Sequence, residues 1–429
     1  MGSGGGSLLP ERDIIAGLDI GTSKVCAIIA ERGQFGEVSI IGVGTSPSHG
    51  LKKGMVVNLD KTVQAISAAV DSAQRMAGVP IESVYVGIAG GHISSFNSHG
   101  VVAVINENEI TERDVKRVID AAKVVAIPND RQIIHVIPRD FTVDTCRGIK
   151  DPEGMAGKRL EVVVHIVTGA VAAIQNMVKC VERAGLVVED LILQPIASCT
   201  SVLTPEEQDC ATVLIDIGGG TTDLAVTHEG SIIHTAVIPV GGDHFTQDLA
   251  FGLRIPFAEA ERLKLRYSQP RVKTYTLEQT AATAIPGEYD YSGQFFSNLP
   301  EVERDKIASI VKPRAEEVFL LVKKELANLV ELGIAPIQCV LTGGASQLPE
   351  MEALAQEILG LPVRIGNPES AGGMADYVKS PIYATAIGLV QYACQNSQQN
   401  LRPVSAGSGF WADLLLRVKR WFKDFIPLD

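Results

Sequence analysis

The sequence predicts an α/β fold made by internal duplication, with a small α+β subdomain inserted in its first half and an amphipathic helix at its C-terminal end. Three observations carry that expectation. Val213-Leu-Ile-Asp-Ile-Gly-Gly-Gly-Thr-Thr-Asp223 reads as a buried strand running into a glycine hairpin and out along Leu224–Thr227. Ile15-Ala-Gly-Leu-Asp-Ile-Gly-Thr-Ser-Lys24, followed by Val25–Ala30, repeats the plan, so that Asp19-Ile20-Gly21-Thr22 aligns with Asp216-Ile217-Gly218-Gly219. Phe410–Ile426, at the far end, is different in kind from everything before it.

Consecutive glycines adopt backbone angles closed to other residues and let amides approach a ligand closely. Successive N–H groups in such a turn form a concave anion site. Asp216 ends an apolar strand, well placed to hold the waters of a hard cation such as Mg²⁺, which keeps most of its hydration. Strand, hairpin and acid, given twice, suggest two domains closing on one nucleotide triphosphate. A lone Asp-x-Gly is ordinary turn chemistry; the glycine cluster and the repeated acid go beyond it.

Composition bounds the reading. The chain has 429 residues, 46% hydrophobic and 21% charged, and its length allows two or more domains. A formal net charge of −12 argues against general nucleic-acid binding, which needs a basic stripe. The seven cysteines lack metal-ligand spacing and read as reduced core thiols of a cytosolic protein. No apolar run approaches the ~20 residues of a membrane span, and no signal peptide is expected. Residues 1–11 open with a glycine–serine linker and are excluded from the fold.

Ile14–Ile20, Val25–Ala30 and Val38–Val43 read as strands. Asn58 or Asp60 caps a helix whose apolar face is Val63, Ile66, Val70, Ala73 and Met76, and Ser83–Ile88 is a buried strand. Residues 12–89 with 168–205 form the first domain. Residues 90–167 are the insertion: a strand pair over His92–Ile105, a helix from Thr111 to about Val125, and strands Gln132–Val143 and Arg159–Val167. Its histidines, His92, His99, His135 and His165, lack close i, i+4 pairing and read as satisfied or exposed side chains rather than a metal site. A helix over Ala170–Ala184 ends at Gly185, Leu186–Leu193 is a strand, and Gln194-Pro195 opens a helix.

Residues 206–242 with 335–394 form the second domain, and 243–334 its smaller subdomain. Gly241-Gly242 precedes a helix near His244–Leu253, and Phe257–Tyr267 is another. Ser268–Pro300 has no clear pattern and reads as a loop or small sheet. Helices follow at Glu301–Ile310 and Pro313–Leu332, then the strand Cys339–Thr342 ending in Gly343-Gly344, against which a base or ribose could lie. A helix Met351–Leu359, a strand Pro362–Ile365 and a helix Pro381–Cys394 complete the body.

Gln395–Gly409 has the composition of a flexible linker. Beyond it, at ~100° per residue, Phe410, Trp411, Leu414, Leu415, Val418, Trp421, Phe422, Phe425 and Ile426 share one face. Arg417, Lys419, Arg420 and Lys423 share the other. Both tryptophans of the chain lie here. Aromatics opposite a cationic face, behind a tether, describe a helix lying in a membrane interface. Anionic lipid adds ~1 kcal/mol per basic residue near the surface.

The two hairpins, the Thr342-Gly343-Gly344 turn and the pattern around Glu261 and Lys264 resemble the actin, heat-shock-chaperone and sugar-kinase ATPase superfamily. Over residues 12–426, the insertion and the terminal helix make the FtsA family of bacterial cell-division proteins the nearest resemblance. It implies an actin-like duplicated ATPase fold. Gly21, Thr22, Ser23 and Lys24 would form one phosphate loop and Gly218, Gly219, Gly220 and Thr221 the other. Asp19 and Asp216 would face Mg²⁺ through water. Glu261 and Lys264 would flank the ribose or base of ATP, with Gly343, Gly344 and Ala345 beneath it. Gln194 would orient an attacking water; a carboxamide is no strong base, so hydrolysis would be slow.

The same resemblance implies a peripheral protein on the cytoplasmic side of the membrane at the division septum. Its partners would be the C-terminal peptide of the tubulin-like FtsZ, an actin-like polymer of itself, the anionic membrane surface and later division proteins. Lys312, Arg314 and Glu317 would receive the peptide, since arginine near a helix start suits an acidic ligand. Two alternatives stay open: a type IV pilus actin-like assembly protein, which should lack the terminal helix, and a phosphotransferase, which needs a carboxylate base that no stretch clearly supplies.

Overall fold

The computed structural model describes residues 13–33, 37–269, 301–331, 334–369 and 372–400, so nearly all of the unpatterned stretch (270–300) and the Phe410–Ile426 helix lie outside the described residues. Its first part runs β1 (Asp13–Ile20), β2 (Lys24–Arg32), β3 (Val38–Pro47), a small hairpin of β4 (Leu51–Lys52) and β5 (Met55–Val56), α1 (Leu59–Ala77) and β6 (Ser83–Ile88). The apolar stripe of α1 buries Ile66, Ala69, Val70 and Ala73 against the sheet. Asn58 caps it, Oδ1 accepting from Lys61 N–H at 2.9 Å, and Gly78 ends it at φ 69°.

The insertion comprises β7 (Ser94–Ala103), α2 (Glu112–Ala122), β8 (Arg131–Val143), β9 (Cys146–Ile149) and β10 (Arg159–Ala170), its sheet ordered β7-β10-β8-β9. The strand pair expected over His92–Ile105 is one strand. β7 pairs with β10 without interruption from Ser94↔Thr168 to Ala103↔Arg159. A Cβ on Gly100 would overlap the Val118 carbonyl of α2, so that glycine serves close helix–sheet packing rather than a turn.

The chain then returns through α3 (Val171–Arg183), β11 (Val187–Leu193), α4 (Gln194–Val202) and α5 (Pro205–Asp209). The second part follows as β12 (Thr212–Ile217), β13 (Thr222–His228), β14 (Ser231–Ile238), α6 (Gly242–Leu253), α7 (Phe257–Ser268), α8 (Glu301–Glu331), β15 (Gln338–Thr342), α9 (Met351–Leu359), β16 (Val363–Ile365), β17 (Gly372–Gly373) and α10 (Ala384–Asn400).

The duplication is visible in the sheets. One runs β11-β6-β1-β2-β3-β17 and the other β16-β15-β12-β13-β14. In each, an antiparallel hairpin carries the glycines, and its first strand pairs in parallel with a later one, β6 or β15. Strands buried on both faces explain the nearly unbroken apolar runs of β2 and β12.

Two helix expectations change. Glu301–Glu331 is continuous through Pro313, where two helices were expected. An interior proline costs ~3 kcal/mol or more. Burial of Val311, Ala315, Val318, Phe319 and Val322 along one side outweighs it, at ~1.5–3 kcal/mol for each larger side chain. The helix expected to end at Cys394 runs to Asn400, into the stretch expected as linker, and is preceded by a 3-10 turn at Pro381–Tyr383. Glutamines are good helix formers and do not stop it. Among the described residues, no helix is long and apolar enough to cross a membrane.

Candidate functional site

The two glycine hairpins face each other. Gly21 N–H donates to the Lys24 carbonyl at 2.9 Å and Gly218 N–H to that of Thr221 at 3.0 Å, so both close the same turn. A Cβ on Gly219 would overlap Ser23 Oγ, and one on Gly220 would crowd the Thr22 side chain. The glycines are needed because the opposite hairpin occupies their side-chain space. Ser23 Oγ also donates to Asp243 Oδ1 at 3.1 Å, while Gly242 and Asp243 N–H groups donate to the carbonyls of Gly218 and Gly219, each at 2.8 Å. Residues from both halves therefore line one cleft.

Behind the hairpins lies a pool of carboxyls. Asp19, near the end of β1, accepts from Gln194 Nε2 at 2.9 Å. Burial pushes its pKa up to about 6; Lys24 opposes the shift and Asp216 adds to it. Asp216 is buried, its Oδ2 accepting from Ser198 Oγ at 2.8 Å and Thr385 Oγ1 at 3.2 Å. Burial raises its pKa too, against those two bonds and Lys24. Asp223 sits opposite Asp216 in the β12–β13 ladder, where like charges repel. Thr221 Oγ1 donates to its Oδ2 at 2.9 Å, but its buried Oδ1 has no hydrogen-bond partner among the described residues. Burial, Asp216 and Asp19 push it to about 8, with the Thr221 bond opposing them. Lys24, the nearby cation, donates to the Ile382 carbonyl at 2.6 Å and lies over the Tyr383 ring, 4.6 Å from its centroid.

The remaining expected residues fall around this centre. Gly343, at φ 86°, has no room for a Cβ beside Asp216 Oδ1 and the Ile217 carbonyl, and Gly344 and Ala345 follow in a 3-10 turn. Glu261 and Lys264 pair at 2.8 Å on α7. Lys264 Nζ reaches Thr246 Oγ1 at 2.7 Å and the Gly242 carbonyl at 3.0 Å, which ties α7 to the first turn of α6. Lys312, Arg314 and Glu317 lie apart on α8. Arg314 makes a two-pronged ion pair with Asp248, at 2.6 and 2.9 Å, and also pairs with Glu317. The membrane-facing residues expected between Phe410 and Phe425 lie outside the described residues.

Sequence reading missed Ser198, Thr385, Asp223 and Asp243. Ser198 lies midway along α4 and Thr385 at the start of α10, 18 and 169 residues from Asp216 in sequence, with no local signal. Asp223 was detectable in principle, as the acid closing the Gly218–Asp223 run and placed opposite Asp216 by a two-stranded hairpin.

Comparison with known proteins follows the same lines. The family model described as cell division protein FtsA matches residues 213–388, and that of the SHS2 domain inserted in FtsA matches 90–168. Cell division protein FtsA of Pseudomonas aeruginosa is 45% identical over 413 residues, covering 95% of this chain and 97% of that one. That of Escherichia coli K12 is 36% identical, covering 96% and 98%. Among solved structures, the PilM-PilN type IV pilus biogenesis complex superposes with a TM-score of 0.63 at 17% identity, over 89% of this chain and 98% of the other. Ethanolamine utilization protein EutJ of Carboxydothermus hydrogenoformans gives 0.51 at 17%, over 90% and 91%. At such identities these two likenesses speak to the fold.

Proposed function

The chain belongs to the FtsA family of cell division proteins, with the actin-like fold, and from that premise we propose that it binds Mg·ATP and links a polymer of the division machinery to the membrane. The observation that supports nucleotide binding best is the carboxyl pool: Asp19, Asp216 and Asp223, crowded and recessed, with one orphaned oxygen. Such a group is poorly compensated by Lys24 alone, and a divalent cation suits it. Among the described residues no three ligating groups converge closely enough to bind an ion directly. Asp19 and Asp216 would therefore hold Mg²⁺ through its waters, which matches its reluctance to dehydrate.

Backbone amides of Gly21–Lys24 and Gly218–Thr221 would cradle the phosphates from opposite sides. Gly343–Ala345, Glu261 and Lys264 would border the nucleoside. When bound, Mg²⁺ supplies charge neutralisation for the phosphate oxygens. Gln194 orients a water against Asp19 and serves no proton transfer of its own, so turnover is slow and nucleotide mainly organises the cleft.

In this reading residues 12–89 with 168–205, and 206–242 with 335–394, are the two closing domains, and 90–167 is an inserted subdomain. Residues 243–334 carry an FtsZ-peptide site around Lys312, Arg314 and Glu317. The terminal helix, Phe410–Ile426, lies on the anionic inner face of the cytoplasmic membrane at the septum, tethering the FtsZ ring and later division proteins. Co-sedimentation with anionic liposomes tests it, using the full chain and one ending at residue 409, with Mg·ATP and an FtsZ tail peptide. Tail-dependent pelleting that carries the peptide is expected. Pelleting that survives the truncation overturns the anchor, and pelleting without peptide overturns the tether.

A further inference from the structure

A hydrogen bond from the insertion reaches the start of α4, beside the cleft. Leu193 ends β11 and is the N-cap of α4, but as leucine it offers no capping side chain. Its own N–H donates instead to Nε2 of His135, on β8 of the insertion, at 2.9 Å. Gln194, the next residue, donates through Nε2 to Asp19 Oδ1 at 2.9 Å, its side chain lying against Gly87 of β6. Burial pushes His135 down to about 4, so the ring is neutral near pH 7 and Nε2 is free to accept.

The surroundings hold the link firmly. Val167 of β10, Leu193 and Ile196 of α4 are buried together, with Ile93, Ile137, Ile232 and Tyr392 packed around them. On β10, two residues along from the partner of His135, His165 bonds Asn97 Oδ1 at 2.9 Å and Thr235 Oγ1 of β14 at 3.0 Å. Ser95 Oγ donates to the Thr235 carbonyl at 2.8 Å. One end of the insertion thus grips the second half at β14 and the start of α4 at Leu193.

We propose that His135 is a positioning residue for Gln194: through the Leu193 amide, the inserted subdomain sets where the Gln194 carboxamide lies relative to Asp19. This rests on the reading of Gln194 as a cleft residue facing the nucleotide. The backbone between the two bonds is short, with Leu193 at φ −61° and ψ 126° and Pro195 fixed at the first turn of α4. Displacing Leu193 therefore displaces Gln194, and tilting the insertion displaces Leu193.

The test uses the full chain and His135→Phe, which keeps a ring but removes the acceptor, with His135→Gln as the variant that restores one. Amide hydrogen exchange at Leu193 and Gln194, measured without nucleotide, should quicken roughly fivefold in His135→Phe, the scale of one lost hydrogen bond, and recover in His135→Gln. Single-turnover conversion of bound Mg·ATP should slow several-fold in His135→Phe with nucleotide affinity unchanged. In a Gln194→Ala background the same substitution should slow it no further. Unchanged exchange overturns the link; faster exchange with unchanged turnover, or an equal loss in the Gln194→Ala background, overturns the positioning role. If His135→Phe does not fold, His135→Met takes its place. Failure of the unsubstituted chain to bind Mg·ATP overturns the nucleotide reading instead, and the exchange comparison still decides the link.

Discussion

Ser23 and Asp243 meet across the cleft, Ser23 Oγ donating to Asp243 Oδ1 at 3.1 Å, one residue from each half of the duplicated fold. Around that bond the two glycine hairpins approach closely: a side chain on Gly219 would meet Ser23, and one on Gly220 would meet Thr22.

Gly219→Ala forces the hairpins apart. Overpacking costs ~1–3 kcal/mol, so Mg·ATP affinity should fall about tenfold or more. Gly91→Ala, where a Cβ meets nothing within 4 Å, should leave it unchanged. Titration with a fluorescent nucleotide compares the two, and equal effects would contradict the close approach.

The Asp216 cradle gives a second expectation. Replacing both donors, as Ser198→Ala with Thr385→Val, leaves Oδ2 without either hydroxyl and moves the carboxyl further up. Bonds to a charged group are worth ~1.5–3 kcal/mol each, so Mg²⁺-dependent nucleotide affinity should drop at least tenfold at pH 7. The deficit should shrink at pH 8.5, where the acid ionises more readily. A deficit independent of pH would mean that the hydroxyls do not act through Asp216 ionisation.

Protonation should also show in the unliganded chain. Asp19 and Asp223 have folded pKa values of about 6 and about 8, above the ~3.9 of an unfolded aspartate. Between those limits these two carboxyls hold more protons in the folded chain than in the unfolded one, so their contribution to stability falls as pH rises from roughly 4 to 8, while the buried His135 and His165, pushed down, oppose it below about pH 6.5. Asp223→Asn should flatten the upper part of that slope in thermal melts and raise the melting temperature at pH 8. Mg²⁺ entering the pool should release protons near pH 7, seen as a buffer-dependent heat in titration calorimetry. No proton release would refute the carboxyl pool as the cation site.

Arg314 is already engaged by Asp248, which bears on the expected peptide site. Asp248→Ala should cost no more than ~1 kcal/mol of stability, as for other partly exposed ion pairs, and should bind an FtsZ tail peptide at least as well as the unsubstituted chain. Arg314→Glu should weaken peptide binding. If both substitutions weaken it equally, the ion pair itself, rather than the arginine, shapes the site; fluorescence anisotropy of labelled peptide separates these cases.

How far the sequence revealed this arrangement follows from the range of the interactions. The glycine hairpins, the Asn58 cap and the apolar stripe of α1 are local signals, and they were legible. Pro313 misled because tertiary packing overrides local punctuation: it rides in a helix anchored by Val318 and Phe319. Ser198 and Thr385 reach Asp216 only after the chain has folded, so nothing in their neighbours announces them. Asp223 was hidden in plain view, since a hairpin's register decides which acids face each other.

The sheet of the first half is completed from the far end of the chain. β17 pairs with β3, and α10 packs so closely on β1 and α4 that Gly17 faces Ala386 and Val390, and Gly388 the Ala197 carbonyl. A nascent chain emerging at ~5–20 residues per second must therefore wait roughly half a minute, within a factor of two, before the first sheet is covered. During synthesis, the apolar face formed by Cys26, Ile28, Ala30 and Ile40 stays uncovered until Ile387 and Val390 leave the ribosome. This protein cannot mature half by half, and a chain cut short before α10 exposes a sticky sheet rather than a working first domain.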